Sequence, residues 1–182
     1  MAIVNKVIQG QYVDLKSVDV SDAEFTRSIR QDPEFVKYLP QINNTLEDQI
    51  QWINNQRSKE GDYFWVFWDK NGKRFGTLGV YDVNTDEPKG RSLAAKGNAL
   101  QNIEAVYLVY RYVLNELKAC AIYGWVYEEN QRAIRFNKLM GGIIGEPEEL
   151  EGRIIRKVVF KNPEFLEAES KIRKMLYRKV GS

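Results

Sequence analysis

The sequence predicts one α/β domain on a mixed, mostly antiparallel sheet that holds a parallel pair of strands near its centre. Three observations lead there. Apolar residues switch along the chain between a two-residue and a helical period, giving the order β, α, α, β, β, β, α, β, α, β, β, α. The middle of that order is strand, helix, strand, and a strand that returns through a helix lies parallel to the one it left. The 182 residues, 43% hydrophobic and 29% charged, suit a single domain with a real core.

Each element has its own warrant. Tyr12 to Val18 alternates apolar and polar side chains, a half-buried first strand. Ser21-Asp22-Ala23-Glu24 fits a capping box that opens a helix to about Gln31, and Asp32-Pro33 ends it. A second helix runs from Thr45 to about Lys59, where Glu60-Gly61-Asp62 stops it. Tyr63 to Trp68 is wholly aromatic or β-branched, hence a strand. Asn71-Gly72 reads as a primed hairpin turn into a return strand, Arg74 to Tyr81. Asn84 to Pro88 is a loop, and Gly90 to Leu93 a short strand. Over residues 99–118 an apolar stripe (Ile103, Val106, Tyr107, Tyr110, Val113, Leu114 and Leu117) repeats at helical period. Cys120 to Val126 is a buried strand, and residues 130–140 a helix ended by Gly141-Gly142. Strands near 143–149 and 153–160 and a basic helix over about 163–178 close residues 1–182 as a single domain.

Composition removes several chemistries. With no histidine, Ser-His-Asp and Cys-His machinery and histidine metal sites are excluded. A single Cys120 excludes an internal disulfide and a cysteine zinc cluster, so no metal is expected. No apolar run approaches the roughly 18 residues of a membrane span, and Met1 to Val13 does not read as a signal peptide. A soluble, cytoplasmic chain is the expectation. From Arg153 onward there are nine basic and three acidic residues. That tail reads either as a solvated helix face or as an attraction for a phosphate-bearing ligand.

The chemistry concentrates between Gly90 and Gly142. Ala94-Ala95-Lys96-Gly97-Asn98-Ala99 reads as a small-residue loop before the best helix in the chain. Such a loop offers backbone N–H groups and the positive end of a helix dipole to a pyrophosphate, or is only a turn. The later helix reads Asn130-Gln131-Arg132-Ala133-Ile134-Arg135-Phe136-Asn137-Lys138-Leu139-Met140. Together these segments and the element order resemble the GNAT acyl-CoA transferase superfamily, with its R/Q-x-x-G-x-G/A loop and its N-x-R-A-I-R-x-Y-x-K-x-G-F helix.

The resemblance implies a GNAT fold with the central parallel pair splayed around a CoA site, acetyl-CoA as co-substrate, and transfer to a small primary amine. It gives no expectation of a nucleic acid or membrane partner, and leaves a homodimer open. Residues Ala94 to Ala99, Asn130 and Asn137 would bind the cofactor. Asn130 equally suits a helix N-cap, and Asn137 an exposed helix position. Three departures stand out: Ala94 in place of Gln or Arg, Asn137 in place of the tyrosine that protonates the leaving thiolate, and Gly142 in place of an aromatic. Without histidine, proton handling falls to Tyr127 or Asp82, with Tyr81 and Glu128 nearby, although each is equally a packing or surface residue. Glu104, off the apolar stripe, reads as a helix-dipole partner. The run from Gly90 to Leu117 looks like proteins that acetylate amino sugars on nucleotide carriers; acetylation of protein N-termini and a non-catalytic CoA-binding module are the alternatives.

Overall fold

The computed structural model describes residues 6–83 and 90–178. The expected loop from Asn84 to Pro88 and the last basic residue, Lys179, lie outside them. Strands β1 (Ile8–Gln9) and β2 (Val13–Ser17) form a small antiparallel hairpin. The expected box at Ser21 and Glu24 is displaced by two residues. Asp19 caps a 3-10 turn, accepting from Ser21 N–H while Asp22 reaches back to Asp19 N–H, and α1 (Ala23–Gln31) follows. Aspartate has two acceptor oxygens to offer where serine has one hydroxyl, and Asp22 is also fixed by Arg74 at 2.6 Å.

Asp32-Pro33 ends α1 as expected, but the chain at once forms a short helix, α2 (Pro33–Val36), with Pro33 in the first turn and Asp32 as its cap. Helix α3 (Leu46–Ser58) starts at a capping box of Thr45 and Asp48. Strands β3 (Tyr63–Asp69) and β4 (Arg74–Tyr81) pair antiparallel. Their turn is not the primed one. Gly72 alone takes a positive φ, Asp69 O accepts from Gly72 N–H, and the Asp69 carboxylate holds the N–H groups of Asn71 and Lys73. That is a type I turn followed by a left-handed glycine, which Asp69 at the first position favours.

Strand β5 (Gly90–Ala95) is longer than expected: Ala94 and Ala95 pair with Thr77 and Gly76 of β4 rather than forming loop. Helix α4 (Ala99–Arg111) continues through one wider π-type turn, Tyr112 to Glu116. Strand β6 (Ile122–Tyr127), helix α5 (Gln131–Leu139), strands β7 (Ile143–Leu150) and β8 (Arg153–Phe160) and helix α6 (Glu164–Leu176) complete the order. The β7–β8 hairpin is where a primed turn does occur, at Glu151-Gly152, both with positive φ.

The strands form two sheets, β1-β2-β3-β4-β5 and β6-β8-β7. Strands β5 and β6, joined by α4, lie side by side without a shared ladder. They approach at the start of β5, where a methyl group on Gly90 would sit 3.6 Å from Tyr123 O. The parallel pair is therefore splayed, as the family resemblance implies. Helix α4 packs on one face of the large sheet, where every side chain from Ile103 to Tyr110 is buried; α1 and α3 cover the other face. Burying each large apolar side chain contributes about 1.5–3 kcal/mol, so α4 fixes the geometry on both sides of the splay. Among the described residues no helix is long and apolar enough to cross a membrane.

Candidate active site

A cleft of about 690 Å³ opens at the splay. One wall is β5 and α4, with Arg91, Leu93, Ala95, Asn102 and Val106; the other is the end of β6 with α5, and the segment from Pro33 to Leu39 lies across it. Alternation explains the first wall. Arg91, Leu93 and Ala95 sit two residues apart and face α4, while Ser92 and Ala94 face α1 and α3. Lys96 N–H donates to Phe75 O at 2.8 Å, and that parity turns the amides of Leu93 and Ala95 toward the splay, away from β4.

The loop before α4 is tightly self-bonded. Gly97 N–H donates to Asn102 Oδ1 at 3.0 Å and Asn102 Nδ2 donates back to Gly97 O. Asn98 caps α4: its side chain accepts from Gln101 N–H, and its own N–H donates to Gln101 Oε1. Lys96 Nζ pairs with Asp32 and, at 3.8 Å, with Glu34, tying the loop to α2. A methyl group on Gly97 would lie 2.7 Å from the Phe75 ring, so only glycine fits. Ala94 is buried within β5, Ala95 lines the cleft, and Ala99 opens the helix.

Asn130 caps α5, its Oδ1 accepting from Ala133 N–H at 3.1 Å, and also lines the cleft. Asn137 is not an exposed helix residue. It is 3% exposed, and Arg91 Nη2 donates to its Oδ1 at 2.5 Å. Tyr127 ends β6 and lines the cleft, with the Arg153 guanidinium 3.4 Å over its ring and Tyr38 on α2's flank 6.3 Å away.

Asp82 is not brought to the cleft. It follows β4 with φ of 52°, its N–H on Asp62 Oδ1 and its carboxylate 3.4 Å from Lys59. Glu128 is held by Arg156, which keeps its carboxyl below the usual range and makes it a weak base. The Tyr81 hydroxyl meets Ser92 Oγ, and burial pushes its phenol up. Glu104 proves fully buried rather than a dipole partner at the surface, accepting from the N–H groups of Gln11, Tyr12 and Val13 and from Tyr177. Arg91 and the α2 segment escaped the sequence reading; a lone cation in a short strand, two residues from Leu93 on the same face, was the available signal.

The sequence of residues 13–142 matches the family model described as an acetyltransferase (GNAT) domain. The chain belongs to the GNAT acetyltransferases. No curated protein matches it in sequence. Similar solved structures include apo FdhC, a nucleotide-linked sugar GNAT, with 19% identity over 95% of this chain and 99% of that one and a TM-score of 0.79. Spermidine N-acetyltransferase from Vibrio cholerae, in complex with CoA and spermine, has 13% identity over 86% of this chain and 99% of that one, with a TM-score of 0.77. A GCN5-related N-acetyltransferase from Brucella melitensis has 15% identity over 98% and 88%, with a TM-score of 0.75. As a GNAT acetyltransferase the chain is an acetyl-CoA-dependent enzyme. The splay fits that co-substrate, since the β5 edge turned toward it has backbone amides that no strand among the described residues satisfies. No group of three or more His, Cys, Asp or Glu able to hold a metal occurs among the described residues.

Proposed function

We propose that the enzyme acetylates the primary amine of an amino sugar carried on a nucleotide, in the cytoplasm where acetyl-CoA is available. The observation that carries this is the charge of the cleft: Lys37, Arg91 and Arg132 line it against Glu34 alone. A cationic wall attracts an acceptor that carries a diphosphate and repels a polyamine. Similarity to a nucleotide-linked sugar GNAT supports the same reading.

Acetyl-CoA supplies an activated acyl carbonyl whose sulfur can leave. For its pyrophosphate the loop offers the first-turn N–H groups of α4, at Ala99 and Leu100, beside the Lys96-Gly97-Asn98 turn. The N–H groups of Gly97 and Asn98 become available only when the Asn102 and Gln101 side chains release them. The splay-facing amides of Leu93 and Ala95 suit the amides of a pantetheine arm, with Asn130 across from them. Tyr127, at the open end of β6, handles the proton of the amine through water, since a phenol hydroxyl can both accept and donate a hydrogen bond. Positioning two reactants in one cleft supplies most of the rate.

Thiol release with acetyl-CoA tests the assignment against nucleotide-linked amino sugars, spermidine and a peptide amine. Turnover with the sugar nucleotides and none with spermidine is expected. Turnover with the peptide alone would overturn the acceptor class, and acetyl-CoA binding without release on any amine would favour a binding module.

A further inference from the structure

Arg91 occupies the narrow end of the splay, on the face of β5 that meets α4. Its side chain crosses to the second sheet: a methyl group on Gly124 of β6 would sit 2.9 Å from Arg91 Nε, so the crossing depends on glycine there. The guanidinium carbon lies 5.3 Å from the Phe160 ring and 6.0 Å from the Tyr110 ring. Nη2 donates to the Asn137 amide oxygen at 2.5 Å, while the buried Nε has no hydrogen-bond partner among the described residues. No carboxylate among the described residues pairs with it. A cation set on aromatic rings, oriented by a neutral amide and with no carboxylate partner among the described residues, gains from an anion that joins it. It is also part of the cleft lining, so an anion formed in the cleft can reach it.

The reaction makes such an anion. Ala95, at the open end, and Arg91 are four residues of extended strand apart, about 13 Å. A co-substrate anchored at the start of α4 therefore runs its acyl end toward Arg91. We propose that Arg91 is a catalytic residue whose guanidinium receives the departing sulfur as a thiolate ion pair, with Asn137 fixing its orientation. The proposal rests on acetyl-CoA occupying this cleft. In the step, the amine lone pair forms the new N–C bond, and the C–S electron pair leaves with sulfur. The guanidinium keeps its protons; the extra proton of the amine goes to water. Asn137, which cannot give up a proton at neutral pH, has no acid role in this scheme.

The test is an equilibrium titration of the CoA thiol in complex with the enzyme, followed by the ultraviolet absorbance of its thiolate. A cation this close lowers a thiol pKa by about one unit or more, so wild-type enzyme should hold the thiolate about tenfold more readily than water does. Arg91→Met should return the thiol to its free behaviour. Gly124→Ala, which displaces the guanidinium but keeps its charge, should fall between them. Under saturating acetyl-CoA, Arg91→Met should lose about 100-fold in kcat, as removal of one transition-state donor does, with CoA affinity little changed. Equal thiol titration in wild type and a folded Arg91→Met that still binds CoA would overturn the role of Arg91 alone. Failure of wild type to bind CoA would instead overturn the cleft assignment, and this proposal with it.

Discussion

Tyr127 and Gly97 make the sharpest single-residue cases. Tyr127 lines the cleft with its ring clamped beneath Arg153, so Tyr127→Phe keeps the clamp and deletes only the hydroxyl of the proposed proton relay. Loss of a positioned relay costs about tenfold or more, so kcat should fall by that much and its pH dependence between pH 6 and 10 should change shape. A profile shared with wild type and a nearly unchanged kcat would take the proton relay away from Tyr127 and leave it to water or Glu34, since Asp82 is outside the cleft. Gly97→Pro removes the N–H that Asn102 accepts and pushes carbon into Phe75. Acetyl-CoA affinity should weaken by about tenfold through distortion of the loop, as read by titration calorimetry.

At the scale of an element, α4 is both the spine of the core and the start of the phosphate site. Its first turn is held by the reciprocal bonds of Asn98 and Gln101. Asn98→Ala should therefore cost about 1 kcal/mol in urea unfolding, and Asn98→Asp should recover most of it because it can still accept from Gln101 N–H. The same pair of variants separates capping from ligand binding, since Asp would repel a phosphate that Asn tolerates. Stability restored without restored acetyl-CoA affinity is the expected pattern.

Across the whole molecule, Glu104 ties three distant parts together. From the middle of α4 it accepts three backbone N–H bonds from the β1–β2 turn and one from Tyr177 at the end of α6, while Tyr12 reaches Leu176 O. Gly10 is close enough that a methyl group on it would strike the carboxylate, at 2.5 Å. Glu104→Gln keeps the shape but turns a donor against an N–H, and should cost about 2 kcal/mol or more of unfolding free energy. Tyr177 gives the matching pH test. Burial first, and then the neighbouring Glu104 charge, raise its phenol above the ordinary value. A raised folded-state pKa stabilises the protein fully below the unfolded value near 10, and that share disappears as pH rises through the folded one. Tyr177→Phe should thus lose less stability than wild type between about pH 9 and 11; equal losses would show that Tyr177 does not carry the alkaline sensitivity.

The order of elements, the helix of residues 99–111, the α3 start at Thr45 and the Asn130 helix were all legible in the chain, because periodicity and capping act over a few neighbouring residues. So was the family, since its motif is a contiguous run. Local competition was harder to read: Asp19 outbids Ser21 as a cap, and Asp69 turns Asn71-Gly72 from a primed turn into a type I turn, because carboxylates two to four residues away hold the local N–H groups. The burial of Glu104 and the meeting of Arg91 with Asn137 and Gly124 belong to tertiary structure alone. Arg91 lies 33 positions from Gly124 and 46 from Asn137 and meets them only after α4 has packed, so a cation in a short strand becomes the charged end of the cleft.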